Sequence, residues 1–570
     1  MIKKIFIVFV ACLGLTELSY SQNISKDEFP LNEIPKEQVY LHVNSSLLFS
    51  GEKLLYKFYA INADTRKLSE LSKIGWVVLV NSEKEIVFKH KLNLEEGQSY
   101  SEFFIPSDLQ SGAYKLLGYT AWMLNAEENY FEQDIQILNP YQKNNEGLIL
   151  QENAESTSEN KTKEASADLE LTLNKTSFST REEIVLNLEN TTGILGDFSV
   201  SVRRIDSFSK PMLLKSTNFN KFYKNKSWNF SDTLILPEVR GSLISGKISL
   251  KDNSLLKSKN LIISFPGAES QVNIVSIDEK GEFSFTINKE LVVDELLVQL
   301  TDHTKSDFDV ELFPTTPPDF SSLNFKKPVV QTGFRDYILE KSINNQIENA
   351  YSATKADRTV FPKDYGYFFE DKLLKFNLDD YTRFPKVTQT FVEIVEFGRV
   401  RRNRDGTHNI MVRNQNTNGE FTLPALLIVD GVVVQNHDKL VSFDAERIKS
   451  IGLLRSKYFL GPAVYEGIVV VETKEGDFPK VFREDYIKSS KINTTQVGKK
   501  YYHPNYKNEM LERIPDYRYQ LNWIPELTLT ESNEQISFYT SDLTGKFEID
   551  IEGFTSNGKA VSIRKTFQVE

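Results

Sequence analysis

The sequence predicts a mainly β, multidomain fold, made of tandem β-sandwiches and one small α/β unit. Short runs of alternating apolar and polar residues, separated by turn residues, recur along most of the chain. The densest apolar block, residues 424–476, combines β-branched runs with a helical segment. The 570 residues are 40% hydrophobic and 12% aromatic, which suits several packed domains and excludes global disorder.

Residues 1–21 have the pattern of a secretory signal peptide. Lys3 and Lys4 form a positive start, Ile5–Leu15 is too short to span a bilayer, and small residues precede Gln22. Cys12 offers a competing lipoprotein cleavage site within this leader. We therefore expect an exported protein, periplasmic or associated with the outer membrane of a Gram-negative envelope. No later apolar run is long enough for a transmembrane helix.

The charge and cysteine content exclude several classes of partner and scaffold. The formal net charge of −11 argues against nucleic acid or an anionic membrane surface as the main partner. The single cysteine lies in the leader, which excludes a disulfide scaffold and a cysteine-based metal site.

Residues 32–140 are predicted to form the first sandwich, with a hairpin around Asn81–Glu85. A Y-L pattern followed by G-E, and a later S-G-x-Y turn, resemble an early domain of the α2-macroglobulin family. The matching residues are Tyr40, Leu41, Gly51, Glu52, Ser111, Gly112 and Tyr114. The resemblance implies a macroglobulin-like β-sandwich.

A second copy of this pattern follows a polar stretch. Residues 141–168 contain few large apolar side chains and are predicted to be a flexible linker. Residues 171–182 then align without a gap on residues 41–52, with asparagine and glutamate at matching positions. A diverged repeat is the simplest explanation, so we expect a second macroglobulin-like sandwich over residues 169–232.

Two further sandwiches are predicted. The strand order of residues 237–313 resembles the regulatory-like domain found beside carboxypeptidases, which carries no catalytic residues in that family. Residues 499–570 resemble a later macroglobulin-family domain, in which a W-x-P-x-L strand precedes a D-x-T step. The matching residues are Trp523, Pro525, Leu527, Asp542, Thr544 and Phe547.

Residues 326–478 are predicted to form the α/β unit. Its expected elements are strands at Leu426–Val429, Val432–Val434, Ile451–Leu454 and Ile468–Val471, a turn at Asp430-Gly431 and a helical segment at Asp444–Ser450. The stretches "IVDGVVV", "ERIKSIGLL" and "GIVVVETKEG" resemble the plug domain of TonB-dependent outer-membrane receptors. Upstream, Phe334–Tyr351 is the best helix candidate, with four apolar residues roughly on one face: Tyr337, Ile338, Ile343 and Ile347.

The motifs of common enzyme classes are missing from the sequence. No HExxH pair, G-x-S-x-G elbow or phosphate-binding glycine loop occurs. The reactive thioester of the macroglobulin family needs a cysteine, which the exported chain would lack. We therefore expect no catalytic residues, no cofactor and no metal site, and a protein that is not an enzyme.

A run of arginines is the candidate partner-binding feature. Arg399, Arg401, Arg402 and Arg404 precede the turn at Asp405-Gly406, and strand alternation places the first two on one face and the last two on the other. A solvated hairpin that protects a sheet edge is one explanation, and a guanidinium fork for carboxylates or lipid phosphates is the other. Tyr458 is a further candidate, as a partner anchor or as a packing residue.

Three functions remain open at this level. Plug domains lie in a barrel made by the same chain, and too few residues follow Gly476 for such a barrel. We therefore expect a non-enzymatic envelope protein that binds other proteins at the outer membrane, as an accessory or lid of a transport barrel. The alternative is a macroglobulin-like protease trap or substrate-binding protein without a thioester. The third is a hydrolase whose site is assembled from distant strands.

Overall fold

The computed structural model describes residues 34–142, 147–151, 169–206, 210–223, 228, 234–251, 260–267, 271–288, 293–301, 307–361, 366–417, 419–481, 484–507, 511, 513–530 and 533–570. The predicted signal peptide with Cys12, and most of the predicted linker, lie outside these residues. The fold is mainly β and multidomain, as the sequence predicts. Within the described residues, no helix combines the length and the apolar character needed to cross a bilayer.

The first sandwich comprises residues 34–142. Its strands are β1 (Glu37–Val43), β2 (Leu47–Phe49), β3 (Lys53–Asn62), β4 (Ile74–Val80), β5 (Ile86–Asn93), β6 (Gln98–Phe104), β7 (Gly112–Tyr119) and β8 (Phe131–Leu138). One sheet has the order β1-β3-β6 and the other β2-β8-β7-β4-β5. Their inward-facing side chains form one core that is rich in aromatic residues.

The next part of the chain begins a second sandwich and returns to the first. Its elements are β9 (Ile149–Gln151), β10 (Leu169–Leu173), β11 (Ser177–Phe178), β12 (Glu183–Asn190), β13 (Gly196–Arg204) and the short helix α1 (Phe219–Tyr223). Phe219 and Tyr223 of α1 are buried in the core of the first sandwich. The chain therefore crosses back over the first sandwich after β13.

The third sandwich follows. Its strands are β14 (Ser242–Leu250), β15 (Asn260–Phe265), β16 (Gln271–Ser276), β17 (Glu282–Ile287), β18 (Glu295–Leu300) and β19 (Phe308–Leu312). The order β17-β14-β19 forms one sheet, and β16-β15-β18 lie side by side in the other. This agrees with the sandwich predicted for residues 237–313.

The α/β unit comprises residues 366–481 and not the predicted 326–478, because the predicted helix at 334–351 packs on the sandwiches instead. It contains a five-stranded mixed sheet with short helices on one face. The elements from residue 329 onward are β20 (Val329–Gln331), α2 (Arg335–Ala350), β21 (Arg358–Val360), β22 (Leu374–Asn377), α3 (Val387–Glu393), β23 (Gly398–Arg402), β24 (His408–Val412), β25 (Leu426–Val429), β26 (Val432–Val433), α4 (Asp438–Val441), β27 (Ile448–Leu460), β28 (Ala463–Thr473) and α5 (Phe478–Val481). The sheet order is β22-β27-β28-β25-β26, and β25 runs parallel to β28. Short 3-10 turns lie at Trp122–Asn125, Thr332–Phe334, Glu370–Lys372, Leu378–Asp380 and Ala445–Arg447.

The predicted strands of the α/β unit are present, but two of them are longer than expected. β27 and β28 pair from Ile448 to the turn at Gly461-Pro462, so most of the residues between the predicted strands Ile451–Leu454 and Ile468–Val471 are also strand. The predicted helix Asp444–Ser450 is one 3-10 turn, because β-branched Ile448 already pairs with Thr473 in the sheet.

The last strands complete earlier sheets. They are β29 (Lys488–Lys491), β30 (Gly498–Lys500), β31 (Gln520–Leu529), β32 (Glu534–Tyr539), β33 (Gly545–Thr555) and β34 (Ala560–Val569). β29 extends the third sandwich beside β18, and β30 pairs with β21. Residues 479–498, which separate the predicted α/β unit from the last predicted sandwich, therefore contribute a strand to the third sandwich.

The second sandwich is built from two segments that are far apart in sequence. Its sheets have the orders β10-β12-β32 and β11-β34-β33-β13-β31. This corrects the prediction of separate sandwiches over residues 169–232 and 499–570. Each segment supplies only four strands, and β11 and β13 of the first segment join one sheet only through β33 and β34 of the second.

The first and second sandwiches share one topology. Replacing β1–β8 by β10–β13 and β31–β34, in order, converts the sheet orders of the first into those of the second. The residues between β13 and β31 are therefore inserted into a hairpin that corresponds to β4–β5 of the first sandwich. The third sandwich, the α/β unit and α2 all lie within this insertion.

The repeat extends to individual hydrogen bonds. Asn44 and Asn174 each accept a backbone N–H from the residue eleven positions later, at 3.0 and 3.1 Å. Glu52 and Glu182 each accept a backbone N–H from the residue three positions earlier, at 2.7 and 2.8 Å. The repeat inferred from the aligned residues is thus present in the structure.

Candidate functional site

A cleft of about 260 Å³ lies where the first and second sandwiches meet α2. The start of β3, the C-terminal half of α2 and residues 501–503 and 517–523 line it. Gly51 stands at its edge with φ +91°, and Asn349 Nδ2 donates to the Gly51 carbonyl at 3.1 Å. A Cβ at Gly51 would lie 2.7 Å from that amide nitrogen, so the close approach of α2 requires glycine here.

Each lysine and arginine that lines this cleft is paired with a carboxylate. The pairs are Lys53 with Asp357, Arg203 with Glu52 at 2.7 Å, Lys355 with Glu348 at 2.8 Å, and Arg518 with Asp516 at 2.7 Å. Burial raises the pKa of Glu348, whereas Arg518 outweighs burial and lowers the pKa of Asp516. The charges of the cleft wall are therefore neutralised within the protein.

α2 presents a polar face to the interior. Its bounds agree with the predicted helix, but its buried residues are Lys341, Ser342, Asn344 and Asn345. Leu339 and Ile343 are 58% and 47% exposed instead. The helix has this orientation because Lys341 Nζ lies 2.6 Å from Asp206 Oδ1 and 4.4 Å from the centre of the Phe49 ring.

A second buried charge cluster joins the two sandwiches. Lys215 pairs with Asp550 and lies 3.2 Å from Glu552, and these three residues are almost fully buried. His42 is 1% exposed, with Nδ1 2.6 Å from Ser199 Oγ and Nε2 4.0 Å from Asp550 Oδ2. This order of serine, histidine and aspartate resembles a hydrolytic triad. Ser199 has no exposed surface, so no substrate carbonyl reaches its Oγ.

The free energy of unfolding should fall as the pH is lowered from about 7.5 to about 5. Burial lowers the pKa of His42 to about 4, so the unfolded chain binds a proton there that the folded chain excludes. This one histidine should account for a loss of about 2 kcal/mol over that interval. Urea unfolding of the wild type and of His42→Gln at both pH values measures the difference.

The comparison contains its own controls. Burial raises the pKa of Glu552, which opposes the loss, but this contribution is common to both proteins and cancels in the difference. Above about pH 7.5 His42 is neutral in both states, so the two stability curves should run parallel there. Equal losses below that pH would contradict the assignment of the effect to His42.

The hairpin formed by the outer halves of β27 and β28 is called the arm, residues 455–468. Tyr458 points toward the third sandwich and packs edge-on against Phe369 of the α/β unit, with ring centres 5.1 Å apart. Phe459 and its cross-strand partner Val464 point the other way and are 74% and 48% exposed. Of the two explanations given for Tyr458, a partner anchor or a packing residue, the contact within the chain agrees with the packing residue, and Phe459 is exposed instead.

The predicted arginines lie on the hairpin β23–β24, which packs on the helix side of the same sheet. Arg399 and Arg401 both approach Glu420, at 3.1 and 3.9 Å, which places them on one face as alternation predicts. Arg402 and Arg404 are exposed. The structure does not bring the four arginines together with Tyr458.

The inner face of the α/β sheet is already covered by the third sandwich. Ile262 and Ile274 of that sandwich form one cluster with Ile428 and Ile468 of the α/β sheet. Gln299 Nε2 donates to the Val433 carbonyl at 2.8 Å across the same contact. Any partner of the α/β unit must therefore approach from its helix side or from the arm.

Sequence motifs alone did not reveal the cleft. Its wall joins residues near 52, 203, 345 and 520, which the insertion brings together. The sequence contains one feature that could have indicated the cleft, because five tyrosines fall between residues 501 and 519. Among the described residues, no three His, Cys, Asp or Glu side chains approach closely enough to hold a metal ion.

The chain matches no protein-family model and no curated protein. Among solved structures it is similar to α2-macroglobulin from Salmonella reacted with methylamine, at 8% identity and TM-score 0.23 over 94% of this chain. The Escherichia coli protein activated by porcine elastase gives 8% identity and TM-score 0.24 over 94%. The chain spans 39% and 44% of the lengths of these two proteins. At these TM-scores the overlap supports no conclusion about fold or function.

Proposed function

We propose that the chain is an exported, non-enzymatic envelope protein that binds an integral β-barrel protein or transport complex at the outer membrane. The α/β unit serves as the docking module. Export is inferred from the leader pattern of residues 1–21. The choice of a barrel partner follows from the resemblance of the stretches around residues 426–476 to receptor plug domains.

The observation that carries the proposal is the exposed apolar pair on the arm. Phe459 and Val464 lie side by side on the face that turns away from the third sandwich. Large apolar side chains that stay exposed next to charged residues are typical of protein-binding surfaces. Lys457 and Glu466 pair at 2.9 Å on the same face and flank the apolar pair with a polar rim.

A pull-down from detergent-solubilised envelopes tests the proposal. The tagged wild-type chain should recover an integral outer-membrane barrel protein, identified by mass spectrometry. Phe459→Glu should reduce this recovery about 30-fold or more, the effect expected of a central aromatic anchor.

Leu339→Glu is the matched control, because Leu339 is also an exposed apolar residue but lies on α2, outside the α/β unit. It should leave the recovery unchanged. The proposal fails if the chain is recovered only as a free soluble species, or if both variants reduce recovery equally.

A macroglobulin-like binding protein without a thioester is the second candidate. The shared topology of the first and second sandwiches favours it, since tandem copies of one sandwich are the architecture that the sequence resemblance implies. A trap would be cleaved selectively in residues 141–168 and then change shape. Limited proteolysis followed by small-angle scattering separates the candidates, because an unchanged scattering profile after cleavage removes the trap.

A further inference from the structure

The cleft between the two sandwiches holds polar atoms that lack hydrogen-bond partners among the described residues. They are the donors Arg203 Nε, Asn345 Nδ2 and Trp523 Nε1, the acceptor Asn522 Oδ1, and the Tyr501 hydroxyl. The residues Asn345, Asn522 and Trp523 are only 5%, 3% and 2% exposed. A buried polar atom without a partner destabilises the folded state, so five of them at one cavity favour a ligand that supplies the partners.

The chemistry of these atoms restricts the class of ligand. Donors and an acceptor occur together, so groups that both donate and accept suit the cleft. The basic groups of the wall are already paired with carboxylates, so a charged ligand finds no uncompensated charge to neutralise. Three half-buried tyrosines, Tyr501, Tyr502 and Tyr517, also line the cleft and offer apolar ring surfaces.

We propose that this cleft binds a neutral, hydroxyl-rich ligand of the saccharide class. Sugar hydroxyls both donate and accept hydrogen bonds, which matches the unpaired Asn345 amide, Trp523 indole and Asn522 carbonyl. The apolar faces of a sugar ring stack on aromatic side chains, and the half-buried Tyr502 and Tyr517 at the cleft offer such rings. The volume of about 260 Å³ suits one or two rings.

A neighbouring cavity extends the same surface. It has about 320 Å³, and Tyr501 lines both cavities. Tyr100 also lines this neighbouring cavity, and the centre of its ring lies 6.4 Å from the centre of the Tyr501 ring. A longer saccharide would therefore continue past Tyr501. The inference does not depend on the proposed docking through the arm, because the cleft and the arm are lined by different residues.

Titration of the full chain with defined probes tests the proposal. The neutral probes are glucose, galactose, N-acetylglucosamine, maltose and cellobiose, and the competing probes are glucuronate, citrate and N-acetyl-triglycine amide. At least one neutral saccharide should bind with a Kd of about 1 mM or tighter by calorimetry. It should also change the tryptophan fluorescence.

Two variants locate the binding site. Trp523→Phe keeps a ring and removes the N–H, and should weaken binding about 3- to 10-fold, as expected for one lost hydrogen bond. Asn345→Leu removes the unpaired amide and should weaken binding similarly. Trp228→Phe is the control, because Trp228 packs on Trp122 of the first sandwich. It should change the affinity by less than about 2-fold.

Thermal unfolding confirms that each variant is folded, and a variant that fails this check is replaced by the other. The proposal is overturned if no neutral saccharide binds at millimolar concentration. It is also overturned if a charged or peptide probe binds more tightly than every saccharide, or if the folded cleft variants bind as tightly as the wild type.

Discussion

A chain that ends after residue 495 should lose the fold of residues 169–206 together with the strands that were removed. The second sandwich takes β10–β13 from one segment and β31–β34 from the other, and β13 pairs with both β31 and β33. Without these neighbours, the apolar side chains on the inner face of β13 have no core to pack into. Hydrogen exchange measured by mass spectrometry should therefore show residues 169–206 exchanging like an unfolded peptide.

The first and third sandwiches are the internal control for this truncation. Each keeps both of its sheets, because β29 of the third sandwich also lies within the shortened chain. Co-expression of residues 496–570 as a separate polypeptide should restore protection of residues 169–206. Protection that survives in the truncated chain alone would contradict the interleaved sandwich and favour two independent domains.

Replacing Lys341 by methionine should lower the free energy of unfolding by about 3–5 kcal/mol, the cost of removing one partner from a buried ion pair. Lys341 Nζ lies 2.6 Å from Asp206 Oδ1 and 3.6 Å from Glu52 Oε1, and the residue has no exposed surface. In the variant, Arg203 would be the cation left to neutralise both buried carboxylates, those of Asp206 and Glu52. Urea unfolding of the full chain measures the change.

A double variant separates the charge from the packing. Adding Asp206→Asn to Lys341→Met removes the unpaired carboxylate, so the double variant should recover part of the loss, by about 1–2 kcal/mol. Glu340→Gln is the control, because Glu340 is exposed on the same helix. A loss below about 1 kcal/mol for Lys341→Met, or strictly additive effects, would show that the cluster is not coupled.

Local patterns predicted most strands because each strand carries its own alternation. The aligned stretches 41–52 and 171–182 predicted a repeat, and the structure adds that the two copies share the same backbone hydrogen bonds to Asn44 and Asn174. The turn at Asp430-Gly431 also agrees, with φ of 45° and 82°. These features depend on residues close in sequence, which is why the sequence alone identifies them.

The pairing of distant segments could not be predicted in the same way. A strand such as β13 has the same alternation whether its neighbour is β31 or the next strand along the chain. For α2, periodicity predicted an apolar buried face, but Lys341, Asn344 and Asn345 are buried instead. Their burial depends on carboxylates and rings supplied by both sandwiches, and helical periodicity carries no information about those partners.

The inserted arrangement of the second sandwich also sets an order of events during synthesis. Residues 169–206 are synthesised long before residue 569, yet Phe178 of β11 is the register partner of Val569 in β34. Until those last residues are available, four strands stay with open edges and an uncovered apolar face, the condition under which nascent chains aggregate. The slowest folding step of the protein should therefore be the closure of this one sandwich.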